Sequence, residues 1–573
     1  MDATLDRLTR VCLLMGLALF PFAGSAAQAP HPTFTHADTL RGSDTPQRAW
    51  WDATFYDLHV TVSPADSSVR GYNGITYRVL KPAQEMQIDL QTPLEIHSVV
   101  QQGAALAYRR DGNAFFVTLV APQRAGDTHT LTVYYHGRWS AAEGGGLPFR
   151  WAQDSLGGLW FATSDESIGA SSWWPLKDFP ADEPDSQRIA ITVPDPLIDV
   201  SNGRLRSTTH NADGTTTYEW FVTEPINTYD VAINAGAHYV HFGDTYGGEA
   251  GTLTLDYWPL SYHLDTAKVQ FQQVKPMLEC FEHWFGPYPW YRDGYKLIET
   301  PYLGMEHQSG IAYGNKYLDG YLGRDLSRSG VGMHWDYIII HESAHEWFGN
   351  SISSKDHADM WIHEGFAMYA EVLYSEFQQG KDAATQYVVG LRPRIKNDIP
   401  IIGHYGVDDT PNSQDRYYKG ANLLHTIRQV VNDDGKWRKV LRGLNATFWH
   451  QTVTERAVED YMSKQAGVDL SEIFAQYLTT TNIPVFEYKI EGSILSYRWG
   501  DVVPGFAMLV RVTLADSAGY AWVHPTESWQ TVKVKLKNPD AFHVDENFYV
   551  LTKNVTAPAA AAPAAPAPAT QAP

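Results

Sequence analysis

Two histidines and a glutamate within five residues form the part of this sequence best suited to chemistry. His341 and His345 stand four residues apart in the apolar run 338–350, whose periodicity predicts a helix, so both imidazoles lie on one helix face. Two imidazoles at this spacing can bind one Zn²⁺ ion at about 2.0–2.1 Å each. Glu342 points to the same cavity without being a ligand. It can take a proton from a metal-activated water and return it to a leaving amine.

A glutamate further along the chain completes the predicted ligand set. Eighteen residues separate His345 from Glu364, which stands in a second predicted helix. A short loop allows that helix to return antiparallel to the first, so that Glu364 is the third ligand and the fourth position stays open, as in catalytic zinc sites. Glu346 and His363 compete by residue type but face elsewhere by helical phase, and His363 is interpreted as structural. The sequence therefore predicts one Zn²⁺ per chain, in a site that can also take cobalt or manganese.

With two further motifs, these residues resemble the gluzincin family of zinc metallopeptidases that contains aminopeptidase N. The resemblance covers most of the chain. Besides His-Glu-x-x-His with its eighteen-residue spacing to Glu364, it rests on Gly304-Met305-Glu306-His307, similar to the family's Gly-x-Met-Glu-Asn, and on Tyr417-Tyr418-Lys419-Gly420-Ala421. It implies a zinc-dependent aminopeptidase, which hydrolyses the first peptide bond of peptides with a free N-terminal amine.

The resemblance also implies roles for the side chains around the metal. Glu306 would bind the α-ammonium of the substrate, and the strand 304–312, with Gly304 and Met305, would lie alongside the peptide. An ammonium held by a carboxylate fixes the chain end one residue from the metal, so only the first peptide bond reaches the water. Tyr417 would donate its hydroxyl to the oxyanion, with Tyr418 as the alternative.

The N-terminal half contributes one further candidate. The segment 173–180 (Trp-Trp-Pro-Leu-Lys-Asp-Phe-Pro) resembles a family segment, and counting back from it makes Glu166 a second contact to the amine, with Asp165 as the alternative. Two residues depart from the family pattern, since Leu303 replaces a glycine and His307 an asparagine of the exopeptidase motif. We expect Leu303 to reshape the pocket for the first side chain, and an ionisable His307 to disfavour ammonium binding at low pH.

The hydrophobic pattern changes twice along the chain and predicts a multidomain α+β protein. Short alternating runs predict an N-terminal β domain over 30–242, which the resemblance makes a saddle-shaped sheet. Helical periodicity with a small sheet predicts a catalytic domain over 243–481, thermolysin-like by the resemblance, and alternation returns in a small β-sandwich over 482–555. No large C-terminal helical domain is expected. The predicted helices are 262–285, 335–350, 360–379 and 421–431, and a strand is predicted at 295–300.

Composition and charge exclude several classes of protein. Hydrophobic residues make up 44% and aromatic residues 13% of the 573 residues, which is a globular composition. The net charge of -21 leaves no basic footprint for nucleic acid. After the N-terminal segment, no run approaches the roughly 20 apolar residues of a membrane span. Nothing in the sequence indicates an oligomeric state.

The two ends of the chain and its cysteines predict the compartment. Residues 1–29 carry Arg7 and Arg10, then an apolar run, then small residues, which is the order of a secretory signal peptide. We therefore expect export to the periplasm or the extracellular medium. Removal of this segment leaves Cys280 as the single cysteine, interpreted as a packed core residue. Residues 556–573 are almost only Ala and Pro and predict a semi-extended tail.

Three other functions compete with an aminopeptidase. A thermolysin-like endopeptidase would share the three metal ligands but would not need Glu306. A non-catalytic peptide-binding protein on a peptidase fold could dispense with Glu342, whose presence argues against it. Epoxide hydrolysis, known in one branch of the family, goes with a glycine-rich form of the exopeptidase motif that this chain does not have.

Overall fold

Alternating apolar residues in the first half of the chain form β-strands in the computed structural model, which describes residues 33–138, 148–166, 168–409, 413–516 and 519–556. The predicted signal peptide and the predicted tail from residue 557 onward lie outside the described residues. A short helix, α1 (His36–Gly42), comes first. The strands that follow are β1 (Trp51–Ser63), β2 (Ser68–Val79), β3 (Ala83–Asp89), β4 (Glu95–Gln101), β5 (Ala104–Ala105), β6 (Ala107–Asp111), β7 (Ala114–Gln123), β8 (Thr128–Arg138), β9 (Phe149–Gln153), β10 (Leu159–Thr163), β11 (Ser186–Pro194), β12 (Ile198–Val200), β13 (Arg204–His210), β14 (Thr215–Val222) and β15 (Asn234–Gly236).

Among the described residues, these strands form an eight-stranded, a four-stranded and a three-stranded sheet. Their orders are β13-β14-β11-β1-β2-β8-β4-β5, β12-β15-β10-β9 and β3-β7-β6. The long strand β1 pairs antiparallel with β2 and parallel with β11, and its buried side chains alternate with partly exposed ones. The core of this half is strongly aromatic and contains Trp51, Tyr56, Trp173 and Trp174. It anchors the loop after β10, which carries Glu166.

The catalytic half of the chain combines a five-stranded sheet with most of the helices. Its elements are β16 (Phe242–Gly248), β17 (Gly251–Trp258), α2 (Leu264–Gln270), α3 (Val274–Phe285), β18 (Tyr295–Glu299), β19 (Gly304–Met305), β20 (Ile311–Tyr313), α4 (Tyr337–Ala344), β21 (Ile352–Ser354), α5 (Trp361–Gln379), α6 (Lys381–Leu391), α7 (Asp415–Val431), α8 (Asp434–Thr447), β22 (Gln451–Val453), α9 (Glu455–Ala466) and α10 (Ser471–Leu478). The sheet order is β16-β17-β18-β20-β19, so the two-residue strand β19 is an edge.

Helices α5 and α7 approach each other closely because two glycines face each other. A Cβ on Gly420 would lie 2.9 Å from the Cα of Gly365, which is too close for any side chain. Gly365 follows Glu364 directly, and Gly420 lies one turn after Tyr417. This contact therefore sets the separation between the third predicted metal ligand and the predicted oxyanion donor.

Four elements differ from the sequence predictions. Helix α7 begins at Asp415 instead of residue 421 and therefore contains Tyr417. The helix predicted over 262–285 is interrupted by a 3₁₀ turn at Phe271–Gln273, since Pro276 has no N–H to bond the carbonyl four residues earlier. Helix α4 ends at Ala344 instead of residue 350. The chain continues in wider turns, in which the N–H groups of Asn350 and Ser351 bond to carbonyls five residues back.

The fourth difference concerns the exopeptidase motif. The stretch 304–312 is a hairpin and not one strand. Gly304 lies opposite Tyr313 and Met305 opposite Ala312. The turn between β19 and β20 is closed by the N–H of Gly310, which donates to the carbonyl of His307 at 2.9 Å. Only the short outer strand, β19, is left at the sheet edge for an added peptide strand.

The last described segment is again built of strands. They are β23 (Val485–Glu491), β24 (Ile494–Gly500), β25 (Val510–Thr513), β26 (Tyr520–Val523), β27 (Gln530–Lys533) and β28 (Leu551–Asn554). Phe486, Trp499 and Phe548 join the same apolar core as the catalytic helices. The predicted α+β fold class is confirmed. Across the described ranges, no helix is long and apolar enough to span a membrane.

Candidate metal and catalytic site

Helix α4 is held at its start by a fully buried aspartate. Asp336 accepts hydrogen bonds from the N–H groups of Ile338 and Ile339. It also accepts from the hydroxyl of Tyr313 at 2.7 Å and the amide of Asn315 at 2.8 Å, and burial raises its pKa to about 6. This N-cap links the helix to strand β20. It therefore fixes the position of His341 relative to the exopeptidase hairpin.

The structure brings the three predicted metal ligands together. The Nε2 atoms of His341 and His345 lie 3.4 Å apart, and Oε2 of Glu364 lies 3.5 Å from each of them. All three residues are buried. Tetrahedral zinc with bonds of about 2.0–2.1 Å has ligand atoms about 3.3–3.4 Å apart, so the spacing matches.

The protonation of the two imidazoles decides whether a cation fits. Nδ1 of His345 lies 3.0 Å from the carbonyl oxygen of Phe348, which only accepts, so Nδ1 carries the proton. Nδ1 of His341 likewise faces a carboxylate, Glu371, at 2.7 Å. In the neutral rings both Nε2 lone pairs then point at each other and at Oε2 of Glu364, which has no hydrogen-bond partner among the described residues. Three converging lone pairs suit a bound cation, and the donor set fits Zn²⁺.

Glu371 and Tyr387 support the first ligand, and sequence reasoning did not identify either of them. Glu371 is fully buried, and while one oxygen meets His341, the other accepts from the hydroxyl of Tyr387 at 2.5 Å. The chain Tyr387–Glu371–His341 fixes the tautomer and orientation of the imidazole. Glu371 lies seven residues after Glu364, two turns along α5, and that spacing is the signal that could have found it.

Glu342 lies against the edge strand of the sheet. A Cβ on Gly304 would come 2.7 Å from Oε1 of Glu342, so the absence of a side chain at this position is what makes room for the glutamate. Met305 is buried beside it. Burial, opposed by the His341 imidazole, raises the pKa of Glu342 to about 7.

Glu306 lies next to this predicted general base. Ligand atoms of Glu306, Glu342 and His345 all lie within 4.8 Å of one another. The hydroxyl of Tyr229 donates to Oε1 of Glu306 at 3.2 Å. Glu306 is only 5% exposed, so a cation bound there would lose most of its water. The Glu306 carboxylate, predicted to bind the α-ammonium of the substrate, therefore lies within the length of one residue from the metal ligands.

The structure gives Glu166 and its alternative, Asp165, different surroundings. Asp165 is buried and accepts from the indole N–H of Trp173 at 2.9 Å, which is a structural contact. Glu166 lines a small cavity at the site together with Arg416. Burial raises the pKa of Glu166 to about 8, and the Glu306 carboxylate adds to the shift.

The two adjacent tyrosines are also distinguished. The ring of Tyr417 stacks on His341 with centroids 6.0 Å apart, and Nη2 of Arg416 donates to its hydroxyl at 3.3 Å. Tyr418 is buried, and the guanidinium of Arg394 lies over its ring. Tyr417 is thus the tyrosine beside the predicted metal ligands.

Arg416 is a further residue that sequence reasoning missed. Its side chain is 17% exposed and its guanidinium lies 3.6 Å from Oε1 of Glu364, the oxygen turned away from the two histidines. It therefore contacts both the third ligand and the hydroxyl of Tyr417. A lone arginine before a tyrosine carries no recognisable sequence signal.

Four other residues near the predicted site or named in the sequence analysis are buried. Nε2 of His363 accepts from the N–H of Ser354 at 3.0 Å, in agreement with the structural role predicted for it. Glu346 accepts from the N–H of Ser309 and the hydroxyl of Tyr288. Cys280 is a buried core residue, as predicted. The expectation for His307 is wrong, because complete burial lowers its pKa to about 3 and keeps it neutral.

Comparison with known proteins identifies the family. The model of the peptidase family M1 domain matches residues 269–477, and that of the peptidase M1 N-terminal domain matches residues 53–229. The chain belongs to peptidase family M1, the aminopeptidase N-type family. The resemblance inferred from the motifs is confirmed, as is the zinc cofactor that the three donors fit.

Curated relatives in family M1 are distant and longer. Aminopeptidase B of Mus musculus is 25% identical over 450 residues, which cover 71% of this chain and 64% of the relative. Leucyl aminopeptidase of Saccharolobus solfataricus is 24% identical over 352 residues, 58% of this chain and 43% of that protein. The chain thus spans about two thirds or less of these relatives.

A solved structure shares the fold. An M1 zinc metallopeptidase mutant from Deinococcus radiodurans, crystallised with a Tyr-Ser-Ala substrate, superposes with a TM-score of 0.65 at 22% identity, covering 76% of this chain and 96% of that one. At this identity the likeness concerns the M1 fold.

Proposed function

We propose that this protein is a zinc-dependent aminopeptidase that removes the first residue from peptides with a free N-terminal amine. The observation that carries the proposal is the packing of Glu306, Glu342 and His345 within 4.8 Å. The amine nitrogen and the carbonyl carbon of one residue are about 2.5 Å apart. A substrate whose ammonium pairs with Glu306 therefore presents its first carbonyl to the predicted metal ligands.

The charged groups on the amine side support an exopeptidase over an endopeptidase. The Glu306 carboxylate lies close enough to Glu166 to raise the pKa of that carboxyl. An endopeptidase needs a cleft that continues on both sides of the cleaved bond. Glu166 and Glu306 instead place two carboxylates where the chain must begin, and their negative charge suits an ammonium.

The catalytic roles follow from the positions of the side chains. Bound zinc supplies a Lewis acid that polarises the carbonyl and lowers the pKa of water. A carboxylate oxygen of Glu342 accepts the proton of the attacking water and later delivers it to the nitrogen of the leaving amine. The hydroxyl of Tyr417 donates to the carbonyl oxygen as negative charge develops there, and Arg416 holds that hydroxyl in place.

The localisation is part of the same proposal. The charged start, apolar run and small residues of 1–29 support export to the periplasm or the medium. N-terminal sequencing of the protein recovered from periplasmic and medium fractions tests it. A start near residue 30 is expected, and retention of residue 1 in the cytoplasmic fraction would contradict it.

A pair of peptides tests the activity. One unmodified decapeptide and its N-acetylated twin are incubated with the protein, with and without a metal chelator, and analysed by mass spectrometry. We expect stepwise loss of N-terminal residues from the free peptide only, abolished by the chelator. Internal cuts in both peptides would establish an endopeptidase, and two intact peptides would leave a peptide-binding protein.

A further inference from the structure

A large cavity begins where the exopeptidase strand starts. It has a volume of about 520 Å³, and its walls include Trp160, Tyr262, Tyr302, Leu303, Gly314 and Lys316. Leu303 is the residue directly before β19, and Gly314 directly follows β20. The cavity therefore lies at the end of the edge hairpin that is opposite the Glu306 turn.

The direction of a bound peptide follows from the order of residues along this hairpin. Glu306 takes the ammonium, and Gly304 abuts the carboxylate of Glu342, where the first peptide bond is cleaved. A peptide that runs from Glu306 past Gly304 continues towards Leu303. The cavity beyond Leu303 is thus on the side of the leaving peptide. With the peptide in this direction, Leu303 borders its second residue, and the effect expected of Leu303 on the pocket for the first side chain does not follow.

The acidic residue deep in the cavity wall is held by three donors of the protein. Glu299 is 5% exposed and accepts from the N–H of Leu260 at 2.8 Å, from His263 at 2.7 Å and from the hydroxyl of Tyr317 at 2.6 Å. It is therefore a structural carboxylate. Its contacts to the protein account for its place in the wall without a ligand.

Lys316 differs from the other charged groups of the wall. It is exposed, and none of the described residues pairs with its ammonium. Asp154, the remaining acid, accepts from the N–H groups of Leu156 and Gly158 and contacts His238. A ligand in the cavity therefore meets aromatic and aliphatic side chains and one unpaired cation.

We propose that this cavity, here called the leaving-side cavity, binds the second and third residues of the peptide, and that Lys316 pairs with the C-terminal carboxylate of a tripeptide. Two extended residues span about 7 Å, which a cavity of this volume accommodates. The inference rests on the proposed aminopeptidase function and deepens it, because it makes short peptides with a free C-terminus the preferred substrate class.

Kinetics on an acid and its amide test the proposal. The substrates are Leu-Gly-Gly, its C-terminal amide and leucine p-nitroanilide, and kcat/KM is measured for the wild type, Lys316→Gln and Lys316→Glu. Lys464→Gln, an exposed lysine on α9 away from the cavity, controls for the loss of one positive charge. The wild type should favour the acid over the amide by about three- to fivefold, mainly through KM.

The ratio of acid to amide is the diagnostic quantity. Lys316→Gln should bring it to about 1 and Lys316→Glu below 1, with turnover of leucine p-nitroanilide unchanged and with Lys464→Gln matching the wild type. A ratio that stays at the wild-type value in both Lys316 variants would overturn the carboxylate contact. Inactivity of every protein on all three substrates would instead refute the proposed function itself.

A cavity-filling variant tests the occupant without relying on charge. Gln153 is an exposed residue of the wall, so Gln153→Trp should be tolerated by the fold. It should lower kcat/KM for both tripeptide forms by about tenfold and leave leucine amide, which has no residue after the cleaved bond, within about twofold. Equal effects, or none, on the tripeptides and leucine amide would show that the peptide does not enter the cavity.

Discussion

The Glu371 carboxylate gives the sharpest test of how the metal ligands are positioned. It contacts Nδ1 of His341 at 2.7 Å, and both side chains are at most 5% exposed. Glu371→Gln keeps the shape of the side chain and one acceptor oxygen but removes the charge. The charge-assisted bond to the imidazole becomes a neutral one.

The size of the effect follows from the strength of the bond. Hydrogen bonds to charged groups contribute about 1.5–3 kcal/mol and neutral ones about 1 kcal/mol. The charge therefore contributes about 1–2 kcal/mol, because burial prevents water from replacing it. We expect zinc to bind about tenfold more weakly to Glu371→Gln.

Competition with a chromophoric chelator measures zinc affinity without any reference to turnover. Tyr387→Phe, which removes the other hydrogen bond to Glu371, should weaken zinc binding by a smaller factor. Tyr374→Phe is the matched control, since its buried hydroxyl contacts Gln378 instead, and it should bind zinc like the wild type. Wild-type zinc affinity in Glu371→Gln would refute the argument that this contact positions His341.

Three further predictions concern the chemistry and the stability. Glu342→Gln should retain zinc, measured by metal analysis, and lose turnover; loss of the metal would mean that Glu342 is a ligand. Tyr417→Phe should lower kcat by roughly 10²–10³ with little change in KM, whereas a normal rate would move the role to Tyr418. Buried His307 has a folded pKa of about 3 against an ordinary value of 6.5. Below pH 6.5 the unfolded chain therefore gains a proton that the native state does not, and the free energy of unfolding falls by about 2 kcal/mol at pH 5. Urea unfolding at pH 7 and at pH 5 measures this loss, and between the two pH values the stability of His307→Asn should fall by about 2 kcal/mol less than that of the wild type. An equal fall in both proteins would contradict the prediction.

The parts of the site that depend on local spacing could be predicted from the sequence. His341, Glu342 and His345 share one turn, and the helical pattern alone places them on one face. Glu364 required only that a second helix return beside the first. These inferences hold even though α4 ends at Ala344, because the next residue, His345, keeps helical backbone angles and its Nε2 lies 3.4 Å from that of His341.

The parts that depend on packing could not be predicted. The choice between Tyr417 and Tyr418 is made by the contact of Gly420 with Gly365, which no local pattern reveals. The hairpin at the exopeptidase motif depends on the pairing of Met305 with Ala312. The titration expected of His307 was wrong because burial, unlike residue type, is set by the tertiary fold.

The depth of the reacting groups limits the conformation of a substrate. His341, Glu342, Glu306 and Glu364 are each between 4% and 7% exposed, and the strand beside them is a sheet edge two residues long. A helix or a folded hairpin is too wide to reach them, whereas a single extended chain fits. Under the proposed aminopeptidase function, the first residues of a substrate must therefore be free of secondary structure, and a protein whose N-terminus is packed into its own fold would be protected from cleavage until it unfolds.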